Sequence, residues 1–207
     1  MTVNTAKTSN VNIRKIAMTG VLAAIATVLM FLHFQLPFMP SFISLDFSEL
    51  PALIGAFAYG PVAGVMIEFC KILIKLVLKP SSTAFVGELA NFSISCMLVL
   101  PASVIYLFKK SRKQAILGTV VGTLIMTAFG SCFNAIYLLP KFSELYGIPL
   151  DAIIGMGTAI NPAIHSISGL VLMCVVPLNL LKGGLVSLIT ILVYKKLSPI
   201  LKAAHKQ

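Results

Sequence analysis

Glu88 and Asn91, Asn134, and Asn179 and Lys182 are the groups whose types and spacing could do chemistry in this 207-residue chain. Glu88 with Asn91, and Asn179 with Lys182, stand three residues apart, a step that puts two side chains on one helix face. Asn134 comes about one turn before Tyr137 in a third apolar segment. Three segments thus carry amide or charged groups at similar depth. Convergent polar groups within an apolar concavity make a small-molecule site. The same groups could instead glue helices together.

Other acidic and basic residues read as follows. Asp46 and Glu49, in Leu45-Asp46-Phe47-Ser48-Glu49-Leu50-Pro51, stand where a helix begins, and free amides with a positive dipole end favour acids there. Helix capping explains Asp46, and so does a hydrogen bond to a ligand. Phe42 and Phe47 flank it and could lie against a flat ring or pack loop to helix. Glu68, Lys71, Lys75 and Lys79 recur at three- and four-residue steps, a single polar face on which Glu68 neutralises Lys71 or Lys75, or one of the lysines serves a bound solute. There is no G-x-x-x-x-G-K-[ST] loop, no H-E-x-x-H and no G-x-S-x-G, so any ATP-driven step needs another polypeptide. Cys70, Cys96, Cys132 and Cys174 lie within apolar stretches, far from C-x-x-C spacing. His33 and His165 are not spaced as a metal pair. No catalytic residue, metal site or cofactor is expected.

The elements that must position these groups are membrane helices. Of all residues 58% are hydrophobic and only 11% charged, with a mean hydropathy of +0.99. That is too little charge to cover a soluble domain of this size. Apolar runs near bilayer length occur at 16–32, 85–108, 115–139 and 170–194. The net charge of +10 lies at the ends of these runs rather than in a strip interleaved with aromatics, which argues for orientation and against nucleic acid.

The basic clusters are Lys7, Arg14 and Lys15; Lys109, Lys110, Arg112 and Lys113; and Lys195, Lys196, Lys202 and Lys206. Placing all three in the cytoplasm requires an even number of crossings between them. Tyr59-Gly60-Pro61 then divides the region from 45 to 78 into a short helix, 47–58, and a longer one, 62–78. The short helix spans only about 18 Å and needs neighbours to shield it. Asn161-Pro162 holds the next segment near the outer surface, and a last span covers 175–197. The expected fold is all-α: an integral membrane protein with six transmembrane helices and both termini cytoplasmic. A tail at 1–15 precedes a single membrane domain at 16–197, and a basic tail follows at 198–207. Outer segments fall at 34–45, 79–84 and 139–168. In the first helix, Ala17, Gly20 and Ala24, with the adjoining Ala23, form a small-residue stripe suited to internal packing or to docking another membrane protein.

The chain resembles the substrate-binding membrane component of an energy-coupling factor vitamin transporter, most closely the riboflavin-binding kind. The likeness rests on Leu36-Pro37-Phe38-Met39-Pro40, on 45–55 from Leu45-Asp46-Phe47-Ser48-Glu49 onward, on Gly60-Pro61-Val62-Ala63-Gly64, on Gly87-Glu88-Leu89-Ala90-Asn91-Phe92, on Asn161-Pro162 and on Val176-Pro177-Leu178-Asn179-Leu180-Leu181-Lys182-Gly183. The resemblance implies a bacterial plasma-membrane protein that holds riboflavin beneath its outer loops. A transmembrane coupling protein and two cytoplasmic ATPases would supply the energy. It implies flavin-facing roles for Asn134, Asn179 and Lys182, with Asp46, Glu88, Asn91, Phe42, Phe47 and Tyr137 around them. It also implies docking through Ala17, Gly20 and Ala24, where the family's alanine pair is replaced in part by glycine. Another vitamin, such as thiamine, or a stand-alone small-solute transporter is the competing expectation.

Overall fold

The computed structural model describes residues 13–37, 39, 40 and 43–204, with side chains through Val193. α1 (Ile13–Phe31) leads into an antiparallel pair, β1 (Phe34–Gln35) and β2 (Ser44–Leu45), in which Phe34 faces Leu45 and Gln35 faces Ser44. α2 (Glu49–Tyr59) and α3 (Pro61–Leu78) meet at Gly60, whose φ of 96° suits a residue without a Cβ, while Pro61 opens α3 where its missing N–H costs nothing. α4 (Val86–Phe108) packs most extensively on α5 (Arg112–Phe133). A Cβ on Gly118 or Gly122 of α5 would stand 2.5 Å from the carbonyl oxygen of Ala102 or Leu98 on α4, so these glycines set the close approach.

Helical structure continues through the segment expected as an outer loop at 139–168. α5 passes through a π-helical turn, Asn134–Leu138, into α6 (Leu139–Tyr146), and α7 (Leu150–Thr158) follows. α8 (Ile167–Leu170) likewise passes through a π turn, Val171–Val175, into α9 (Val176–Ala204), so the last helical rod begins earlier than the expected 175. Each π turn lies beside a proline, Pro140 or Pro177, whose ring and missing N–H displace the regular hydrogen-bond ladder.

Among the described residues, four helical rods are long and apolar enough to cross a bilayer: Ile13–Phe31, Val86–Phe108, Arg112–Tyr146 and Ile167–Val193. The chain is therefore an all-α, multi-pass membrane protein apart from its two-residue strands. α2, at 11 residues, reaches only about 17 Å. α3 has the length but carries Glu68, Lys71 and Lys75. Apolar side chains such as Ile16, Val28, Leu124 and Leu192 stay exposed on the rods, as lipid-facing positions require. Inside, Phe57 and Tyr106 meet at a tilt within a core shared by α2, α4, α5 and α9, with ring centroids 4.6 Å apart. A second core lies under the strand pair, where Met39, Ile43 and Leu45 meet Leu139, Ile153, Ile164 and Leu170.

Candidate functional site

Beneath the strand pair, the starts of α2, α4 and α9 and the π turn after α5 enclose a cavity of about 240 Å³. Its polar lining comes from Ser44, Asp46, Glu49, Asn91, Ser95, Asn134, Asn179 and Lys182, and its apolar lining includes Ile43, Met126, Leu139, Phe142 and Leu178. Asp46 enters from the loop after β2, Asn91 from the second turn of α4, and Asn179 and Lys182 from one face of α9. Both π turns contribute lining residues, Asn134 and Leu138 from the first and Val175 from the second.

A buried charge network organises this cavity. Lys182 Nζ lies 2.7 Å from Glu49 Oε1 and 3.0 Å from Asp46 Oδ2. Ser95 Oγ donates to Glu49 Oε1 at 2.8 Å, and the Ser48 amide donates to Asp46 Oδ1 at 2.9 Å. Lys71 donates to Ser48 Oγ at 2.9 Å and pairs with Glu68, both side chains being fully buried. The network joins α3, the loop before α2, α2 itself, α4 and α9. Burial alone would raise the Asp46 carboxyl, but the charges of Lys182 and Lys71 and the Ser48 hydrogen bonds outweigh it and lower it to about 2. Ionised groups inside a membrane protein are expensive unless paired, and here Lys182 pairs with Asp46 and Glu49 while Lys71 pairs with Glu68.

Among the described residues, three buried polar atoms on cavity-lining residues have no hydrogen-bond partner: Glu49 Oε2, Asn91 Oδ1 and Asn179 Nδ2. Leaving each bare costs on the order of 1–3 kcal/mol. They are two acceptors and one donor.

The structure brings five expected site residues to the cavity, Asp46, Asn91, Asn134, Asn179 and Lys182. Asn134 also donates through Nδ2 to the Gly130 carbonyl at 2.7 Å. Glu88 is absent from the cavity wall and instead accepts from Lys75, from Ser81 Oγ at 2.8 Å and from Thr83 Oγ1 at 3.0 Å, tying down the loop between α3 and α4. Lys75 is therefore engaged by Glu88, while Glu68 neutralises Lys71. Phe47 is half-buried between the two cores. Tyr137 is 40% exposed, its ring centroid 5.1 Å from that of Phe133. Phe42 lies outside the described residues. Glu49, read from sequence only as a helix-start acid, belongs to the cavity, as does Ser95. Their neighbour Lys182 is more than a hundred positions away in sequence from Glu49, a separation that local periodicity does not bridge. On α1, Ala17, Gly20 and Ala24 face outward while Ala23 and Ala26 are buried. Among the described residues, nothing lies within 4 Å of a Cβ built on Gly20.

Comparison with known proteins gives one consistent answer. The family model described as "ECF transporter, substrate-specific component" matches residues 14–194. The riboflavin transporter RibU of Staphylococcus aureus (strain TCH60) is 33% identical, covering 91% of this chain and 93% of its own length. The riboflavin transporter FmnP of Bacillus subtilis (strain 168) is 30% identical, over 90% of this chain and 93% of its own. A solved structure, described as "Structure and mechanism of the S component of a bacterial ECF transporter", superposes with a TM-score of 0.71 at 34% identity. It covers 93% of this chain and 99% of its own.

Proposed function

Because the chain belongs to the ECF transporter substrate-specific components, we propose that its cavity binds riboflavin and that the protein delivers this vitamin inward. It is a membrane transport protein, not an enzyme. The observation that carries the riboflavin reading is the set of unpartnered buried atoms, Glu49 Oε2, Asn91 Oδ1 and Asn179 Nδ2, on one partly apolar cavity. A flavin ring offers carbonyl acceptors and an N–H donor, its ribityl chain offers hydroxyls, and its flat faces suit walls such as Met126 and Leu178. Relatives named as riboflavin transporters support the same choice. Asn134, Asn179 and Lys182 contact the ligand, and Asp46 holds Lys182 in place. Asn91 adds a further contact. Phe47 and Tyr137 stand farther out, and Glu88 acts through the loop it restrains.

The topology in this reading has six crossings, with α2 and α3 shielded as a pair by α1, α4 and α9, and with both termini in the cytoplasm of a bacterial cell. The membrane domain extends over 16–197 between the two tails. Energy comes from a transmembrane coupling protein and two ATPases, because this chain has no phosphate-binding loop. The coupling protein packs on the outward small-residue face of α1 at Ala17, Gly20 and Ala24, where backbones approach closely without a side chain between them.

Mass spectrometry of small molecules released from the purified chain tests the substrate. Riboflavin is the expected species. Release of thiamine or another vitamin, with no flavin bound on adding it back, rejects the assignment. Solute uptake into vesicles by this chain alone would instead support a stand-alone transporter.

A further inference from the structure

The turn between α4 and α5 gathers one sign of charge that neither the cavity nor the α1 face uses. Lys109 and Lys110 follow α4, Arg112 and Lys113 open α5, and all four side chains are exposed. The Ser111 amide donates to the Lys109 carbonyl and tightens the turn, so the four cations project from one short stretch of chain. Among the described residues none of the four forms an ion pair.

The chain's own acids do not balance this cluster. All six fall within 46–151. Glu88 stands at the opposite end of α4, a helix of 23 residues and so about 35 Å long. Glu144 lies past the far end of α5, and Glu68 is fully buried beside Lys71. Charges in water are screened over about 8 Å at physiological salt, so these carboxylates leave the four cations uncompensated. Apolar side chains flank the cluster on both helices, with Phe108 on α4 and Ile116 and Leu117 on α5 exposed as lipid-facing positions are. Cations one or two turns from such positions stand at headgroup depth, and their long stems reach the phosphate level.

We propose that the α4–α5 turn is a site for anionic phospholipid of the inner leaflet. Lys109, Lys110, Arg112 and Lys113 hold the headgroup phosphate, and the acyl chains lie along Phe108, Ile116 and Leu117. Arg112 supplies a planar fork that matches a phosphate, and the lysines supply point charges. The choice of leaflet rests on the topology proposed above. A lipid fits this surface better than an acidic protein does, because the cluster is continuous with lipid-facing apolar residues. The turn also lies away from the face assigned to the coupling protein, since α1 packs on α2 and α3 whereas α5 packs on α4 and α9.

The test offers the purified full-length chain in detergent equal amounts of phosphatidylglycerol and phosphatidylcholine, removes unbound lipid by gel filtration and quantifies what is retained by mass spectrometry. The native chain is expected to retain phosphatidylglycerol over phosphatidylcholine by about tenfold or more at low salt. At about 1 M salt, where screening acts within about 3 Å, the preference should collapse. Lys109→Gln, Lys110→Gln, Arg112→Gln and Lys113→Gln combined should reduce it to about twofold or less, with riboflavin affinity unchanged because none of these residues lines the cavity. Arg112→Gln with Lys113→Gln should give an intermediate preference, and provides the readout should the fourfold variant not fold. Equal retention of the two lipids by the native chain overturns the inference, as does a preference that survives in the folded variants. Absence of lipid preference together with lost coupling-protein recovery in the fourfold variant also overturns it, and assigns the cluster to an acidic protein surface. Riboflavin titration of the same samples reads the proposed function separately, and a chain that keeps its lipid preference but binds no flavin overturns that function alone.

Discussion

The cavity under the strand pair and the outer face of α1 use opposite residues to solve opposite problems. Around the cavity, Asp46, Glu49 and Lys182 are buried, with two ammonium groups and three carboxylates linked through Lys71 and Glu68. On α1, Ala17, Gly20 and Ala24 are exposed and carry no polar group at all. The first region buries charge inside the protein, and the second leaves small side chains exposed on a helix face. A polar layer can be completed by a small molecule, whereas a smooth small-residue face can be completed only by a surface that packs on it. In the proposed function, ligand recognition and partner docking fall to separate parts of the molecule, so the two should be separable by mutation.

The largest effect is expected at Lys182. Lys182→Ala leaves Asp46 and Glu49 as buried carboxylates without their cation, a loss of roughly 3–5 kcal/mol for a broken buried pair. Thermal unfolding in detergent should drop sharply, and riboflavin binding should disappear. A variant of native stability that binds normally would show that the network does not shape the cavity.

On the other side of the comparison, Gly20→Leu combined with Ala24→Leu should remove most of the complex recovered with the coupling protein while flavin affinity stays within about twofold, since neither residue touches the cavity. Co-purification of the two polypeptides measures this. Undiminished recovery would move docking to another face.

Asn179→Ala removes a single unpartnered donor without taking a charge from the network. A loss of roughly 10- to 100-fold in riboflavin affinity is expected, with little change in thermal stability. The reverse pattern, lower stability with unchanged affinity, would make Asn179 a structural residue.

Acid should act on the cavity region before the α1 face, through Asp46. Its carboxyl is lowered from 3.8 to about 2, so the folded state gains stability from the ionised group above pH about 4. That contribution is lost as pH falls from about 4 through about 2, and Asp46→Asn should flatten this part of the profile. Thermal melts across that range provide the check, and an identical profile in Asp46→Asn would assign the acid sensitivity elsewhere. The smallest effect belongs to Tyr137→Phe, which removes a hydroxyl outside the cavity wall and should leave binding within about twofold by flavin titration.

Much of the fold was legible because its signal is local. The apolar runs at 16–32 and 85–108 correspond closely to Ile13–Phe31 and Val86–Phe108, and Gly60-Pro61 marked the junction of α2 and α3. The helical structure of 139–168 was less legible, since Asn161-Pro162 marked only a segment held near the outer surface, whereas α6 and α7 form within it and π turns lie beside Pro140 and Pro177. For the site, residue type and helical spacing pointed to Asn91, Asn134, Asn179 and Lys182, all of which line the cavity. Spacing did not reveal pairing. Glu88 shares a helix face with Asn91 yet is drawn to Lys75, thirteen residues away, and Glu49 looks like an ordinary first-turn acid until α9 folds against it. Such choices depend on which charged side chains meet in three dimensions, which no local pattern encodes.

Filling the cavity while leaving every charge in place tests the central claim most directly. Ala90 is a buried lining residue, and Ala90→Phe adds a ring there without altering Asp46, Glu49 or Lys182. Quenching of riboflavin fluorescence should show saturable one-to-one binding to the native chain and none to Ala90→Phe of equal helicity. Equal quenching by the two proteins would mean that the flavin is held somewhere else.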